Sequence, residues 1–380
     1  MSTPALFRLR EKLPEAHIAL LTPGKLRDLW LEHHAINETI SFEPDESVFA
    51  VGRKLRMRKF DLALVLPNSP RSAIETWLAR IPQRIGHARP WRNVFLTQTV
   101  APRADAVKMR KRSTAEIKKL ISHLRSPISD LPATAHQLHE YLHLVAALGA
   151  NPEPIAPQLF VAPEEVEAVR NKFGLEKIAQ PVFGLNPGAE YGPAKRWPAE
   201  RFIAAAREIQ NRTNCVWLVV GGKGDMELAG RINSELRTPA FAFGSGAAGH
   251  SSGRVEVERR RANSELRNLA GKTSLRELMA LLKLCRVLLT NDSGPMHVAA
   301  ALGTPVVAPF GSTSPELTGP GLPGDPRHRL LKSDAPCSPC FRRECPIDFR
   351  CMNGITSDQV VDAVLQAIRF DGAPVSDPAR

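Results

Sequence analysis

No stretch of the chain stays apolar for the roughly 18–20 residues that a membrane-spanning helix needs. The start does not read as an export signal either. Met1 to Arg10 mixes charged with apolar positions and shows no small-residue cleavage site. Both absences predict a protein that stays in the cytoplasm. Cysteine is scarce, six among 380 residues, which excludes a disulfide scaffold and suits a reducing compartment. No strand-to-helix turn carries Gly-x-Gly-x-x-Gly, the mark of a nicotinamide dehydrogenase, or Gly-x-Ser-x-Gly, the mark of a hydrolase serine. Gly271-Lys272-Thr273 looks like the end of a P-loop, but Leu266 stands where the first glycine of that motif belongs.

What is present is an ordinary globular composition, 43% hydrophobic and 24% charged, long enough for two domains with a core each. The net charge of +12 favours anionic partners, although solubility alone would account for it equally well. Part of the excess is clustered, in Arg53, Lys54, Arg56, Arg58 and Lys59 and again in Lys108, Arg110, Lys111 and Arg112. No aromatic residue is interleaved with the second run, so it is not a stacking platform for single strands, and nucleic acid is not an expected partner.

Helix and strand patterns alternate along the chain. Strands are predicted at 17–21, 62–66, 182–185, 216–220, 287–290 and 306–308. Helices are predicted at 4–12, 72–78, 136–148, 164–172, 199–210, 275–284 and 296–302. Such alternation predicts an α/β protein with parallel sheets covered by helices on both faces. Pro152, Pro154, Pro157 and Pro163 crowd the stretch 151–163, which reads as an interdomain connection. The expected organisation is a first domain over 1–160, a second over 176–355 and a terminal amphipathic helix over 356–370. A Gly-, Ser- and Arg-rich loop is expected over 244–263 and a frayed tail over 371–380.

Three strand-to-helix corners of the second half carry candidate chemistry. Open parallel sheets bind ligands at the carboxyl ends of their strands. The first corner runs from Asn186 to Pro198. Gly188 and Gly192 allow close backbone approach, and Lys195 and Arg196 bring positive charge where a diphosphate would lie. A long loop with a surface Lys-Arg pair fits the spacing as well. The second runs from Thr290 to His297. Asp292, Ser293 and Gly294 would aim backbone N–H groups and a helix N-terminus at an anion, with His297 one turn onward. The plain alternatives are an N-cap for Asp292-Ser293 and a satisfied buried histidine for His297. The third is Gly221-Gly-Lys-Gly-Asp225, where Asp225 (with Glu227 in reserve) could bind ribose hydroxyls or simply cap a turn. Cys337, Cys340, Cys345 and Cys351 are spaced so that they could hold zinc or an iron–sulfur cluster. They depart from paired Cys-x-x-Cys ribbons, so no metal is expected ahead of the plainer reading as thiols in a Pro-rich loop. Cys215 and Cys285 read as small core residues.

The segments PGAEYGPAKRWP (187–198), TNDSGPMHVAAALGTP (290–305), VLPNSPRSA (65–73) and IPQRIGH (81–87) resemble the lipopolysaccharide heptosyltransferases, the heptosyltransferase II branch in particular. The resemblance implies a glycosyltransferase-B fold, two Rossmann-like doubly wound domains facing across a cleft. The first domain would bind the acceptor and the second the donor. It implies inverting transfer of heptose from ADP-heptose to the inner core of lipopolysaccharide, the second heptose addition, at the inner face of the cytoplasmic membrane and without a cofactor. By the same resemblance Lys195 would neutralise the donor diphosphate. Gly188, Asp292, Ser293 and Gly294 would line the donor site with His297 beside them, Asp225 would contact the ribose, and Thr273 would lie near the nucleoside. The family opens with a strand and a Gly-Asp turn ahead of a helix reading like Met1-Ser2-Thr3-Pro4-Ala5-Leu6. The first strand and the aspartate base are therefore expected to lie upstream of Met1, behind a start codon assigned too late. The chain as written is expected to turn over feebly, and no catalytic residue is nominated within it. Two other readings remain at this point: a related enzyme using another nucleotide sugar, and a non-enzymatic basic binder of anionic lipid or nucleic acid.

Overall fold

The computed structural model describes residues 1–122, 131–237 and 266–369, so the expected loop at 244–263 and tail at 371–380 lie outside the described residues. In chain order the elements are α1 (Thr3–Lys12), β1 (Ala19–Pro23), β2 (Glu38–Phe42), α2 (Val48–Arg56), β3 (Leu62–Val65), α3 (Pro70–Leu78), β4 (Gln83–His87), β5 (Gln98–Val100), α4 (Thr114–Ser122), α5 (Leu138–Ala146) and α6 (Pro163–Lys172). They continue with β6 (Val182–Asn186), α7 (Ala199–Thr213), β7 (Val216–Val219), α8 (Met226–Arg237), β8 (Leu266–Asn268), α9 (Leu275–Leu284), β9 (Leu288–Thr290), α10 (Gly294–Ala301), β10 (Val306–Phe310), α11 (Pro315–Thr318), β11 (Arg329–Lys332), α12 (Arg350–Asn353) and α13 (Ser357–Arg369).

The chain divides into two compact units. The first takes Met1–Met109, Asp130–Phe160 and Glu316–Gly324; the second takes Arg110–Ser129, Val161–Pro315 and Asp325–Arg380. The change at Phe160 falls inside the proline-rich stretch. Three segments are grouped differently from the sequence expectation. Arg110–Ser129 belongs to the second unit, because Ile117 of α4 is buried in its core. Glu316–Gly324 belongs to the first, where Leu322 packs against the cluster formed by α1 and α5 and the Leu317 carbonyl accepts a bond from the Gln137 N–H at 2.9 Å. The terminal helix α13 is not a separate piece. It packs on α7, β10 and β11 and buries Val360, Val361, Val364 and Ala367 in the second unit's core.

The second unit is built on a six-stranded sheet in the order β11-β10-β9-β6-β7-β8, with every pairing parallel. Its strands are short apolar runs, and β7 and β10 are buried at every position, as expected where helices cover both faces. Helix α7 shows how the cover is made. Glu200 suits the positive end of the helix; Phe202, Ile203, Ala205, Ala206 and Ile209 form one buried face; and Asn214, in the left-handed region at φ 52°, ends it. Strands β6 to β8 run outward to one side and β9 to β11 to the other, so the order reverses between β6 and β9. This is the switch point at which open α/β sheets hold ligands beyond the strand carboxyl ends.

In the first unit the strands among the described residues form two parallel sheets, β1-β2 and β3-β4-β5. The run from Arg53 to Lys59, read from sequence only as a charge cluster, is the end of α2 and the turn after it. Ser47 caps this helix at the Ala50 N–H. Val51, Gly52 and Leu55 face inward while Arg53 and Arg56 face solvent. Gly52 is required by packing: a Cβ there would stand 2.7 Å from the Leu78 Cβ of α3. Among the described residues no helix is long and apolar enough to cross a membrane.

Candidate functional site

The sheet register sets Asn186, the last residue of β6, beside Thr290, the last residue of β9. Both side chains are buried and polar at the switch point, and each is satisfied by its neighbour. The Asn186 amide donates to Thr290 Oγ1 and to Ser293 Oγ, both at 3.0 Å. Asn291, also buried, ties the two corners together. Its amide donates to the Pro187 carbonyl at 2.7 Å, and its oxygen accepts the Trp197 N–H at 2.9 Å. Polar groups this deep are tolerated only when paired, so the network fixes the two loops relative to each other.

On that frame Lys195 and Asp292 form an ion pair, with Nζ 2.6 Å from Oδ2; 14% of the lysine side chain and 4% of the aspartate side chain are exposed. The same Oδ2 accepts a bond from Thr313 Oγ1 at 2.5 Å. Ser293 occupies the N-cap position of α10, yet its side chain makes no capping bond because it is turned to Asn186 and Thr290. The plain alternative of an N-cap therefore holds for the position of Ser293 and not for its side chain, and the Ser293 hydroxyl does not close the start of α10. Gly294 is exposed at that point, and His297 lies one turn on, half-buried and partnered. A lysine ammonium and an uncapped helix N-terminus, two sources of positive charge, thus meet at one corner.

Asp225 sits against Gly188. A Cβ at Gly188 would lie 2.3–2.4 Å from the atoms of the Asp225 carboxylate, so only glycine admits this approach. The carboxylate also accepts the Gly222 N–H at 3.0 Å and faces Arg196 at 3.9 Å, so it does serve as a cap. Thr273 follows β8 on the same end of the sheet, half-buried. Sequence reasoning did not single out Asn186, Thr290, Asn291, Tyr191, Thr313 or Arg343. A buried polar residue ending an apolar strand was a usable signal for Asn186 and Thr290. Nothing local marks Thr313 or Arg343.

The profile of glycosyltransferase family 9 (heptosyltransferase) matches residues 48–244 and 242–349. The chain belongs to glycosyltransferase family 9. Lipopolysaccharide heptosyltransferase 2 of Escherichia coli K12 is 30% identical over 334 residues, 84% of this chain and 81% of that one. The solved structure of E. coli ADP-heptose LPS heptosyltransferase II matches with a TM-score of 0.69 and 25% identity, covering 98% of this chain and 95% of that one. A family 9 transferase from Veillonella parvula DSM 2008 shares the fold, with a TM-score of 0.71, 21% identity and 97% and 93% of the two chains covered. The protein is a glycosyltransferase with heptosyltransferases as relatives. The readings as another nucleotide-sugar enzyme or as a non-enzymatic binder are not favoured.

In this family 9 chain the four clustered cysteines do converge. All line one small cavity together with Ile117, Ala194, Ser312 and Arg350. Among the described residues, however, no group of three or more His, Cys, Asp or Glu side chains is arranged to hold a metal ion. The structure thus does not carry the metal reading of the spacing. Burial, and behind it the neighbouring thiols, keep Cys337, Cys340 and Cys351 protonated, and the Cys351 thiol is pushed up to about 12. Burial alone lifts the core thiol Cys285 to about 12, and it is the leading cause of the same rise at Cys215. An aromatic disulfide reagent at pH 8 is therefore expected to leave Cys215, Cys285 and Cys351 unmodified in the native protein and to label all six cysteines in urea. Peptide mapping that finds any of those three labelled within minutes without urea would contradict this account.

Proposed function

We propose that the corner formed by Lys195, Asp292 and Ser293 grips the pyrophosphate of ADP-heptose, and that the chain transfers heptose from it to the inner core of lipopolysaccharide. The convergence of the Lys195 ammonium and the uncapped start of α10 at the switch point carries this reading. Glycosyl transfer with inversion builds positive charge on the sugar and negative charge on the departing diphosphate. A pre-placed ammonium and helix N-terminus stabilise the second of these without a metal ion. Asp292 holds Lys195 in place until the diphosphate draws the ammonium toward itself. Asp225 would meet the ribose and Thr273 would lie toward the nucleoside. No base is assigned within this chain.

The acceptor carries phosphates and acidic sugars. The exposed side chains of Arg53, Arg56, Arg58 and Lys59, and of Lys108 and Lys111, are the cations proposed to attract it. On this reading the enzyme works in the cytoplasm, at the inner face of the membrane where the acceptor is anchored.

Calorimetric titration of ADP and UDP into the parent and Lys195→Ala, with melting temperatures measured alongside, tests the reading. The parent should prefer ADP, and chelator should leave its affinity unchanged. Loss of a charge-assisted contact worth about 1.5–3 kcal/mol should weaken ADP binding roughly 10- to 100-fold in Lys195→Ala. Equal affinities in the two proteins would remove Lys195 from the site and with it the physical basis of the proposal.

A further inference from the structure

The loop that carries the clustered cysteines also makes a second structure, at the back of Lys195. The Tyr191 ring meets two cations, with Lys195 Nζ 4.9 Å and the Arg343 guanidinium carbon 5.2 Å from its centroid. Its hydroxyl donates to the Phe341 carbonyl at 2.9 Å. The Arg343 carbonyl accepts the Ala194 N–H, the residue before Lys195, at 2.9 Å. This approach depends on Gly192, held at φ 149°, where a Cβ would stand 2.5 Å from the Arg343 carbonyl oxygen. Three contacts from residues 341–343 thus converge on the five residues Tyr191 to Lys195, two of them on Tyr191 itself.

We infer that Tyr191, clamped by Phe341 and Arg343 of the cysteine loop, is a positioning residue that holds the Lys195 ammonium in place for a diphosphate. This rests on the reading that Lys195 meets the donor. A lysine ends in a point charge on a four-carbon stem with large rotameric freedom. In the ligand-free protein Asp292 fixes its tip. Once a diphosphate competes for the ammonium, that anchor weakens, and an aromatic face beneath the charge is what still restrains it. The ring can do so only if its own plane is fixed, and this is the part played by the hydroxyl bond to Phe341 and by the Arg343 guanidinium on the ring. Arg343 is exposed, and its side chain reaches the site through Tyr191.

A double-mutant cycle on ADP affinity distinguishes positioning from simple loop packing. Tyr191→Leu should weaken ADP binding about three- to tenfold in the parent, the range expected for losing a partly desolvated cation–π contact. It should have no effect in a Lys195→Met background. Tyr191→Phe keeps the ring and its Arg343 contact but loses the hydroxyl bond that helps fix its plane, so its loss should be smaller than that of Tyr191→Leu; a role confined to the hydroxyl bond would make Phe as damaging as Leu. Because Arg343 is exposed, Arg343→Ala supplies the same cycle should Tyr191→Leu fail to fold, with a smaller loss that also vanishes beside Lys195→Met. Equal losses in both backgrounds, or no loss in the parent, would overturn the inference while leaving the donor site standing. If Lys195→Met itself binds ADP like the parent, the proposed donor site fails instead.

Discussion

Replacing Trp197 by alanine is expected to lower the unfolding free energy by about 4 kcal/mol, a large share of the roughly 5–15 kcal/mol that holds a typical domain. Trp197 is among the largest fully buried side chains, 2% exposed. Its ring meets Phe202 edge-on at 5.0 Å, and its indole N–H donates to the Ile355 carbonyl at 3.0 Å. That carbonyl also accepts a bond from Arg201, so the substitution does not orphan it. The cost is the cavity and the lost apolar contact, which Trp→Ala changes in cores place at about 3–5 kcal/mol. Trp197→Phe should recover more than half of it. Urea unfolding followed by circular dichroism measures both. The bond that ties the Lys195 loop to Asn291 comes from the Trp197 backbone N–H and survives in the alanine variant, so the loss of ADP affinity expected below its melting temperature comes from the slackened packing of that loop. A loss of stability under about 1 kcal/mol would show that the loop is not anchored where the packing places it.

Lowering the pH from 7 to 5 is expected to destabilise the first unit by about 4 kcal/mol through two histidines. His33 and His136 are 3% and 1% exposed, and burial, the leading cause, lowers the pKa of each to about 4. The hydrogen bonds agree. His136 Nδ1 accepts the Leu138 N–H at 3.3 Å while Nε2 lies 3.0 Å from the Gly319 carbonyl, so the ring is neutral with its proton on Nε2. His33 Nδ1 likewise accepts the Ala35 N–H at 3.3 Å. A second proton would set two N–H groups against each other at either site. In the unfolded chain both rings titrate near 6.5. Between about pH 6.5 and 4 the unfolded state therefore binds protons that the folded state refuses, and stability falls as pH falls. At pH 5 this amounts to about 2 kcal/mol for each ring. Urea midpoints at pH 7 and 5 give the difference, and His33→Gln/His136→Gln should shrink it by about that amount, leaving the share of His87, His139 and His328, whose pKa values burial also lowers. A parent whose stability is unchanged across that range would mean that these rings are not neutral and enclosed.

The corners proposed to hold the donor were legible in the sequence as strand-to-helix turns because each is written as one continuous run: an apolar strand, a turn with glycine, then a helix. Lys195, Asp292 and Ser293 announce themselves in such runs, and the strand-to-helix spacing puts them at the same end of one sheet. What the runs could not show is who neutralises whom. The pairing of Lys195 with Asp292 depends on β6 lying beside β9, and Thr313 and Arg343 arrive from elsewhere in the chain. In the first unit, β4 was hidden because Gln83-Arg84-Ile85-Gly86-His87 has neither an apolar run nor a clean alternation, although its last three residues are buried. Helix α2 was hidden by Gly52 and by its three cations, which read as a charge cluster until Leu78 of α3 explains the glycine. Helix α8 lay behind the Gly-rich turn at 221–224, whose cap at Asp225 starts it.

The reversal of strand order between β6 and β9 also bears on when this site comes into being. Asn186 and Thr290 are 104 residues apart in the chain, and Asn291 and Trp197 are 94 apart. No local segment, however well it forms its helix or strand, contains both halves of the corner. Closing such a span costs entropy that grows only slowly with its length, about 0.6 kcal/mol for each doubling, yet non-local pairing of this kind slows folding. On the ribosome the second unit can raise β6 and α7 early, but the proposed grip on an anion must wait until β9 has emerged and docked.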